Sequence, residues 1–203
     1  MYTVIGSPGS RMTRVLWMLE ELDEDYEVTL AKPQSETARR YNASGKVPVL
    51  VDGNLVLTDS AAICAYLAEK HADKGFGPRD AGERALIDAW MHFAQAELEA
   101  PLWNKLKHRM LLPEELRVDV GPWTAWEFER HIKALARKLG DNPFALGNRF
   151  TAVDVVLGHI GQWARGAKFE VAPDIVNAYF DRVLARPALA RAREVEKKAG
   201  EAA

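Results

Sequence analysis

The sequence predicts an α/β unit of element order βαβαββα followed by an all-α unit, and three observations predict it. Short β-branched runs alternate with helical periodicity as far as Lys70. Two of those runs flank Asp52-Gly53-Asn54, a strong hairpin signal. Beyond Ala81 the apolar residues recur at helical spacing with few strand signals. A chain of 203 residues exceeds the commonest domain size of about 100–150 residues, so two unequal units are admissible. The expected boundaries are 1–74 and 82–203, with a linker at about 72–81 where Gly75, Gly77 and Pro78 sit among charged residues.

Each element has a local cause. Tyr2 to Ile5 is a β-branched and aromatic run halted by Gly6-Ser7-Pro8-Gly9, after which Met12, Val15, Leu16, Leu19 and Leu22 recur at helical spacing. Tyr26, Val28 and Leu30 alternate with Glu27 and Thr29, the period of a half-buried strand. Strand, helix and strand of this length favour a parallel pair with a right-handed crossover. After an irregular or helical stretch at 35–41, Val49-Leu50-Val51 and Leu55-Val56-Leu57 form the antiparallel hairpin. From Ser60, the residues Ala62, Ile63, Tyr66 and Leu67 give a helix with one apolar stripe.

In the second half, Pro101 is expected to kink or end a long helix through Leu86, Trp90 and Phe93, because proline lacks a donor and clashes with the preceding turn. Later prolines and glycines divide the remainder into about five helices. Thr151-Ala152-Val153-Asp154 reads as a capping box, with Phe150 and Val155 as its hydrophobic staple. These residues are assigned to folding.

Composition excludes several functions. Hydrophobic residues make up 48% and charged residues 28%, so disorder is not expected. The 27 basic and 29 acidic side chains are interspersed and leave a charge of -2, which provides no nucleic-acid footprint. No apolar run approaches the roughly 20 residues needed to span a bilayer, and no signal segment precedes Tyr2, so a cytoplasmic protein without membrane association is expected. One cysteine, Cys64, forbids an intrachain disulfide and agrees with a reducing compartment; on an apolar helix it reads as a core residue. The five histidines lie at no ligand spacing, so no metal site is expected.

Three places suggest chemistry. The loop ending at Ser10 feeds a helix whose first amides and dipole favour an anion. Lys46-Val47-Pro48 precedes the hairpin, where a cis proline would expose the backbone of Val47 to a peptide ligand. Thr58-Asp59-Ser60 opens the next helix and offers a carboxylate for an ammonium, with a hydroxyl and free amides for a carboxylate. Together they suit an α-amino acid.

In this order and spacing, the runs 10–22, Gly45-Lys46-Val47-Pro48-Val49-Leu50 and Thr58-Asp59-Ser60-Ala61-Ala62-Ile63 make the chain resemble a glutathione transferase over nearly its whole length. The resemblance implies a thioredoxin-like first domain and an all-α second domain. It implies glutathione as cosubstrate, conjugated to a hydrophobic electrophile or used to reduce a peroxide in a cleft between the domains. By position, Ser10 activates the thiol, Val47 pairs through its backbone with the cysteinyl part after a cis Pro48, and Asp59 and Ser60 hold the γ-glutamyl end. Lys46 and Lys32 are candidates for the glycine carboxylate, Arg11 for a further contact, and Trp103, Met110 and Trp163 for the electrophile site. A homodimer is implied as well.

Alternatives stay open at this point. Ser10 is also a plausible N-cap, and Ser7, Arg11 and Thr13 are rival donors. Asp59 is one methylene shorter than the more usual glutamate or glutamine. A noncatalytic binding or regulatory member of the family, or a glutathione-dependent isomerase or dehalogenase, shares most of the same motifs. Moving a thiol pKa from about 8.5 to about 6.5 needs roughly 2.7 kcal/mol. One hydroxyl donor to a charged sulfur contributes about 1.5–3 kcal/mol and a helix N-terminus about 0.3–1 kcal/mol more, so one serine suffices on these terms.

Overall fold

The structure is a computed structural model that describes residues 1–201. The chain divides into two compact units, Met1–Arg79 together with the residues from Ala185 onward, and Asp80–Leu184.

The first unit contains β1 (Tyr2–Gly6), α1 (Met12–Leu22), β2 (Tyr26–Leu30), α2 (Glu36–Tyr41), β3 (Val49–Asp52), β4 (Leu55–Thr58) and α3 (Ser60–Lys70). The sheet order is β2-β1-β3-β4. β1 and β2 are parallel from Tyr2↔Tyr26 to Gly6↔Leu30, as the strand-helix-strand spacing predicts. β3 runs antiparallel to β1, pairing Ile5 with Val49, and β4 returns antiparallel to β3. Asp52 pairs with Leu55, so the hairpin turn has two residues; its Gly53, at φ 58°, takes the left-handed region that other residues avoid.

Nine of the eleven residues of α1 are buried, from Met12 through Leu19 and again at Leu22, which makes it a core helix. β1, α3 and the last helix, α9 (Pro187–Glu201), pack on it. Arg186 fastens the entry of α9 with two parallel bonds, from Nε and Nη2 to the Glu21 carboxylate at 2.5 and 2.6 Å. Arg191 donates from Nε to Glu20 Oε2 at 2.6 Å one turn further on. Forked arginine–carboxylate pairs of this kind fix orientation as well as distance.

Cys64, on the face of α3 turned to α1, is fully buried, and its Sγ donates to the Arg14 carbonyl at 3.5 Å. Burial pushes its thiol up to about 12.

The second unit is helical: α4 (Ala81–His92), α5 (Ala100–Leu106), α6 (Gly121–Leu139), α7 (Ala152–Gly166) and α8 (Asp174–Leu184). Pro101 acts as its chemistry requires. The α-helical ladder breaks just before it through a π turn at Phe93–Leu98, where the Glu99 amide reaches back to Ala94. A second π turn, Lys107–Leu111, follows α5.

α7 is the core of this unit, with Val153, Val155, Val156, Leu157 and Ile160 fully buried. A Cβ at Gly161 would lie 2.6 Å from the Phe180 ring, so only glycine lets α8 approach this closely. The capping box forms as the sequence predicts. Asp154 goes beyond a cap, however. Its carboxylate accepts from the Thr151 amide at 2.8 Å, the Ala145 amide at 2.9 Å and the Tyr179 hydroxyl at 2.8 Å. Burial pushes its carboxyl above the ordinary range, and those donors oppose the shift. Phe150 places its ring edge-to-face with Phe144 at 5.6 Å between centroids.

None of the described helices is long and apolar enough to cross a membrane.

Replacing Asp154 by Ala strands two buried amides and a buried phenol, so a loss of about 3 kcal/mol or more in urea unfolding is expected. Cys64 in the native protein at about pH 8 should resist iodoacetamide and become labelled only after denaturation, as mass spectrometry will read directly.

Candidate functional site

The strand registers bring the candidate residues to one end of the sheet. Ile5 pairs with Val49, and Val49 in turn pairs with Thr58. The loop after β1, the segment before β3 and the segment after β4 therefore leave neighbouring strands at the same level. Gly6 pairs with Leu30 on the other side, which delivers Lys32 to that end too. Thus Ser10, Lys32, Val47, Pro48, Asp59 and Ser60 gather where chain tracing from sequence alone had only put them in order.

The Val47–Pro48 bond is cis. The ladder of β3 begins at Val49 on both of its edges, so the backbone of Val47 lies outside it. The Val47 side chain packs on a small core of Ile5, Ala31, Ala38 and Val49. An extended peptide meeting this segment finds an anchored stretch of backbone not committed to the sheet. Lys46 itself is exposed, and its carbonyl accepts from Asn42 Nδ2 at 2.9 Å. Lys32 is exposed as well, and Arg11 is half-buried.

Ser10 bonds its own helix in the manner of a cap. Its Oγ accepts from the Met12 amide at 3.1 Å, which caps α1, while its own proton goes to the Ser7 carbonyl at 2.7 Å. The first turn is closed tightly, with the Thr13 amide donating to the Ser10 carbonyl at 3.2 Å and the Arg14 amide to the Arg11 carbonyl at 3.1 Å. The hydroxyl proton is thus already used. To serve a thiolate it must leave a neutral acceptor, exchanging a bond worth about 0.5–1.5 kcal/mol for one worth about 1.5–3 kcal/mol. The net preference is on the order of 1–1.5 kcal/mol, about one pKa unit, which is smaller than a count of new bonds suggests.

At the start of α3 the geometry differs from the simple expectation of free amides. Asp59, at φ 72°, turns its carboxylate back on its own helix, and Oδ1 accepts from the Ala61 and Ala62 amides at 2.9 and 3.1 Å. The short aspartate side chain is suited to that turn in a way a longer acid is not. Ser60 is almost wholly buried, and its Oγ accepts from Arg14 Nη1 at 3.1 Å. Since the guanidinium supplies the donor, the Ser60 hydroxyl keeps its own proton for an acceptor. Arg14 is itself fully buried, so a complete positive charge sits behind Ser60. The composite suits a carboxylate better than the serine alone.

Arg14, to which the sequence reading gave no role, and Thr13, a rival donor to Ser10 in it, also belong to this end of the sheet. Arg14 stands four residues after Ser10, one helical turn on, and that spacing was its only signal. Thr13 is buried, and its hydroxyl lies 3.0 Å from the Ser10 carbonyl and 2.9 and 3.0 Å from the two carboxylate oxygens of Glu196 on α9. No local pattern connects residues so far apart in sequence.

The candidates for the electrophile site belong to the second unit. Trp103 and Trp163 are half-buried on α5 and α7, and Met110 is 59% exposed in the second π turn. A groove of about 430 Å³ in that unit is lined by Leu86, Trp90, Lys138 and Leu146, and none of the three reaches it.

Comparison with known proteins identifies the family. Residues 4–75 match the family model for the glutathione S-transferase N-terminal domain, and residues 127–191 match that for the C-terminal domain. A glutathione S-transferase of Hyoscyamus muticus is 27% identical over 199 residues, 91% of this chain and 93% of that protein. GstA of Escherichia coli O157:H7 is also 27% identical, over 88% of this chain and 90% of its own. Among solved structures, a glutathione S-transferase from Xylella fastidiosa superposes with a TM-score of 0.85 at 20% identity, covering 97% of this chain and 99% of that one. With both domain models matched in order and curated relatives aligned end to end, the chain belongs to the glutathione S-transferase family.

Proposed function

We propose that this glutathione transferase binds glutathione at the shared end of its sheet, with Ser10 stabilising the thiolate for attack on a hydrophobic electrophile or a peroxide. The observation that carries the reading is the convergence of Ser10, the cis Val47–Pro48 segment and the Arg14–Ser60 pair through the register Ile5↔Val49↔Thr58. A sphingomonad glutathione S-transferase solved in complex with glutathione superposes with a TM-score of 0.81 at 24% identity over 96% of this chain and 98% of its own, which supports a ligand of that kind.

In this reading the backbone of Val47 pairs with the cysteinyl unit and fixes the sulfur near the start of α1. Ser60, backed by Arg14, takes the γ-glutamyl carboxylate, and exposed Asp59 faces the ammonium. Lys46, Lys32 and Arg11 supply positive charge toward the glycine end. The Ser10 hydroxyl turns from the Ser7 carbonyl to the sulfur as the thiolate forms. Trp103, Met110 and Trp163 remain our candidates for the electrophile's apolar contacts. The cytoplasm is the compartment we infer, since the single thiol is internal and glutathione is kept reduced there.

We also infer a homodimer. β4 is an edge strand whose Leu55 and Val56 are 40% and 43% exposed, apolar surface that a partner would cover.

Ser10→Ala is expected to raise the bound thiol pKa, read by ultraviolet absorbance, by about one unit, and to lower kcat/KM near neutral pH about tenfold or less. Ser7→Ala keeps the carbonyl that Ser10 uses and should leave both near wild type. A bound thiol no more acidic than free glutathione in the wild-type protein removes the activation mechanism. Arg14→Leu should raise the Kd for glutathione about tenfold, measured calorimetrically, because it uncouples Ser60 and takes away the buried charge. Sedimentation equilibrium should give twice the 22.7 kDa chain mass.

A further inference from the structure

The Glu196 carboxylate is the one acidic group on α9 that is turned inward, 7% exposed, while its neighbours Glu194, Lys197 and Lys198 face solvent. An acid in that place costs desolvation, so its contacts deserve an account. Its two oxygens lie 2.9 and 3.0 Å from the Thr13 hydroxyl. Gly9 immediately precedes Ser10 and stands at φ 70°, while Thr13 closes the turn that follows. One turn further along α9, a Cβ at Gly200 would lie 3.6 Å from Pro8 Cγ, so the helix flanks the loop along its length.

We propose that Glu196 is a positioning residue for Ser10, holding through Thr13 the turn that the serine opens, so that the hydroxyl meets the thiol at a fixed place. The proposal deepens the reading of Ser10 as the activating hydroxyl and rests on it.

The grip follows from what each group can donate. The Thr13 hydroxyl has one proton and two acceptors within reach, the Ser10 carbonyl at 3.0 Å and Glu196. With Glu196 ionised, that proton goes to the carboxylate, the stronger acceptor. The turn from Ser10 to Thr13 is then tied to one rigid group on a packed helix. Burial pushes the Glu196 carboxyl up, with Thr13, Gly9 and Arg193 opposing the shift. The other ionisable group that senses this charge is Tyr26 on β2, whose own hydroxyl donates to Glu20 at 2.6 Å.

The experiment compares Glu196→Leu, Glu196→Gln, Thr13→Val and Thr13→Ser, with glutathione itself as the probe. Glu196→Leu and Thr13→Val are expected to raise the bound thiol pKa by about half a unit to one unit and to lower kcat about threefold to tenfold. The Kd for glutathione should stay within about twofold, because the peptide contacts lie on β3 and α3. Glu196→Gln and Thr13→Ser, which keep the acceptor and the hydroxyl, should restore the thiol pKa to the wild-type value or slightly below. A residue that merely holds α9 in place would lower the melting temperature and leave the thiol pKa where it was. Unchanged thiol pKa and kcat in folded Glu196→Leu and Thr13→Val overturns the proposal, and so does a Thr13→Ser variant as impaired as Thr13→Val. Should Glu196→Leu fail to fold, the threonine pair decides alone. Ser10→Ala separates the two levels: if it shifts the thiol pKa and these variants do not, only the role of Glu196 falls, whereas an inert Ser10→Ala removes the activating serine and its positioning together.

Discussion

The burial of α1 is the constraint on which the rest of the structure depends. Nine of its eleven residues lose contact with water, so the helix has no solvent face along which it can slide or roll. A helix held in this way starts at a fixed place. Because its first turn carries the site, the position of Ser10 is decided by the packing of Val15, Leu16, Trp17 and Leu19 rather than by the loop that contains it. Buried polar side chains on the same helix are then obliged to find partners, and Thr13 and Arg14 find them on α9 and α3. The polar architecture of the site is in this sense a by-product of burying the helix completely.

That architecture has little slack. The Ser10 proton, the Met12 amide, the first amides of α3 and the Ser60 oxygen all have partners within the chain. At Ser10 a ligand has to offer a better acceptor than the neutral carbonyl already in place. Charged groups do so, which biases the site toward carboxylates and thiolates over their neutral forms. The bias is modest for any one group and grows when several act on one small peptide.

Much of this was legible in the sequence. The hairpin followed from Asp52-Gly53-Asn54, the parallel crossover from the strand-helix-strand spacing, the cis bond from Lys46-Val47-Pro48, and the capping box from Thr151 and Asp154. All are local signals, carried by residues a few positions apart. What could not be read depends on distance or on a choice between equivalent acceptors. The pattern of α9 announces an amphipathic helix and not which elements it meets, so nothing in the sequence sets Glu196 apart from the charged residues around it. Asp59 was recognised as important, yet nothing in its neighbourhood tells whether its carboxylate turns outward or back on its own helix. Arg14 lies in the run 10–22 with its burial invisible, since a cation inside an otherwise apolar stripe becomes interpretable only when Ser60 is seen opposite it. The wider reach of Asp154, to Ala145 and Tyr179, was hidden for the same reason.

The division of the chain also bears on the order of its folding. The unit built on the sheet is discontinuous, formed by Met1–Arg79 and the residues from Ala185 onward, whereas Asp80–Leu184 is continuous. During synthesis the continuous unit has all its residues outside the ribosome before the sheet unit does, although the sheet was made first. Until α9 arrives, the outer face of α1 is wet apolar surface, and the acidic side chains Glu20 and Glu21 lack the arginines that later hold them. The sheet unit thus keeps apolar surface open to water until the last helix closes over it.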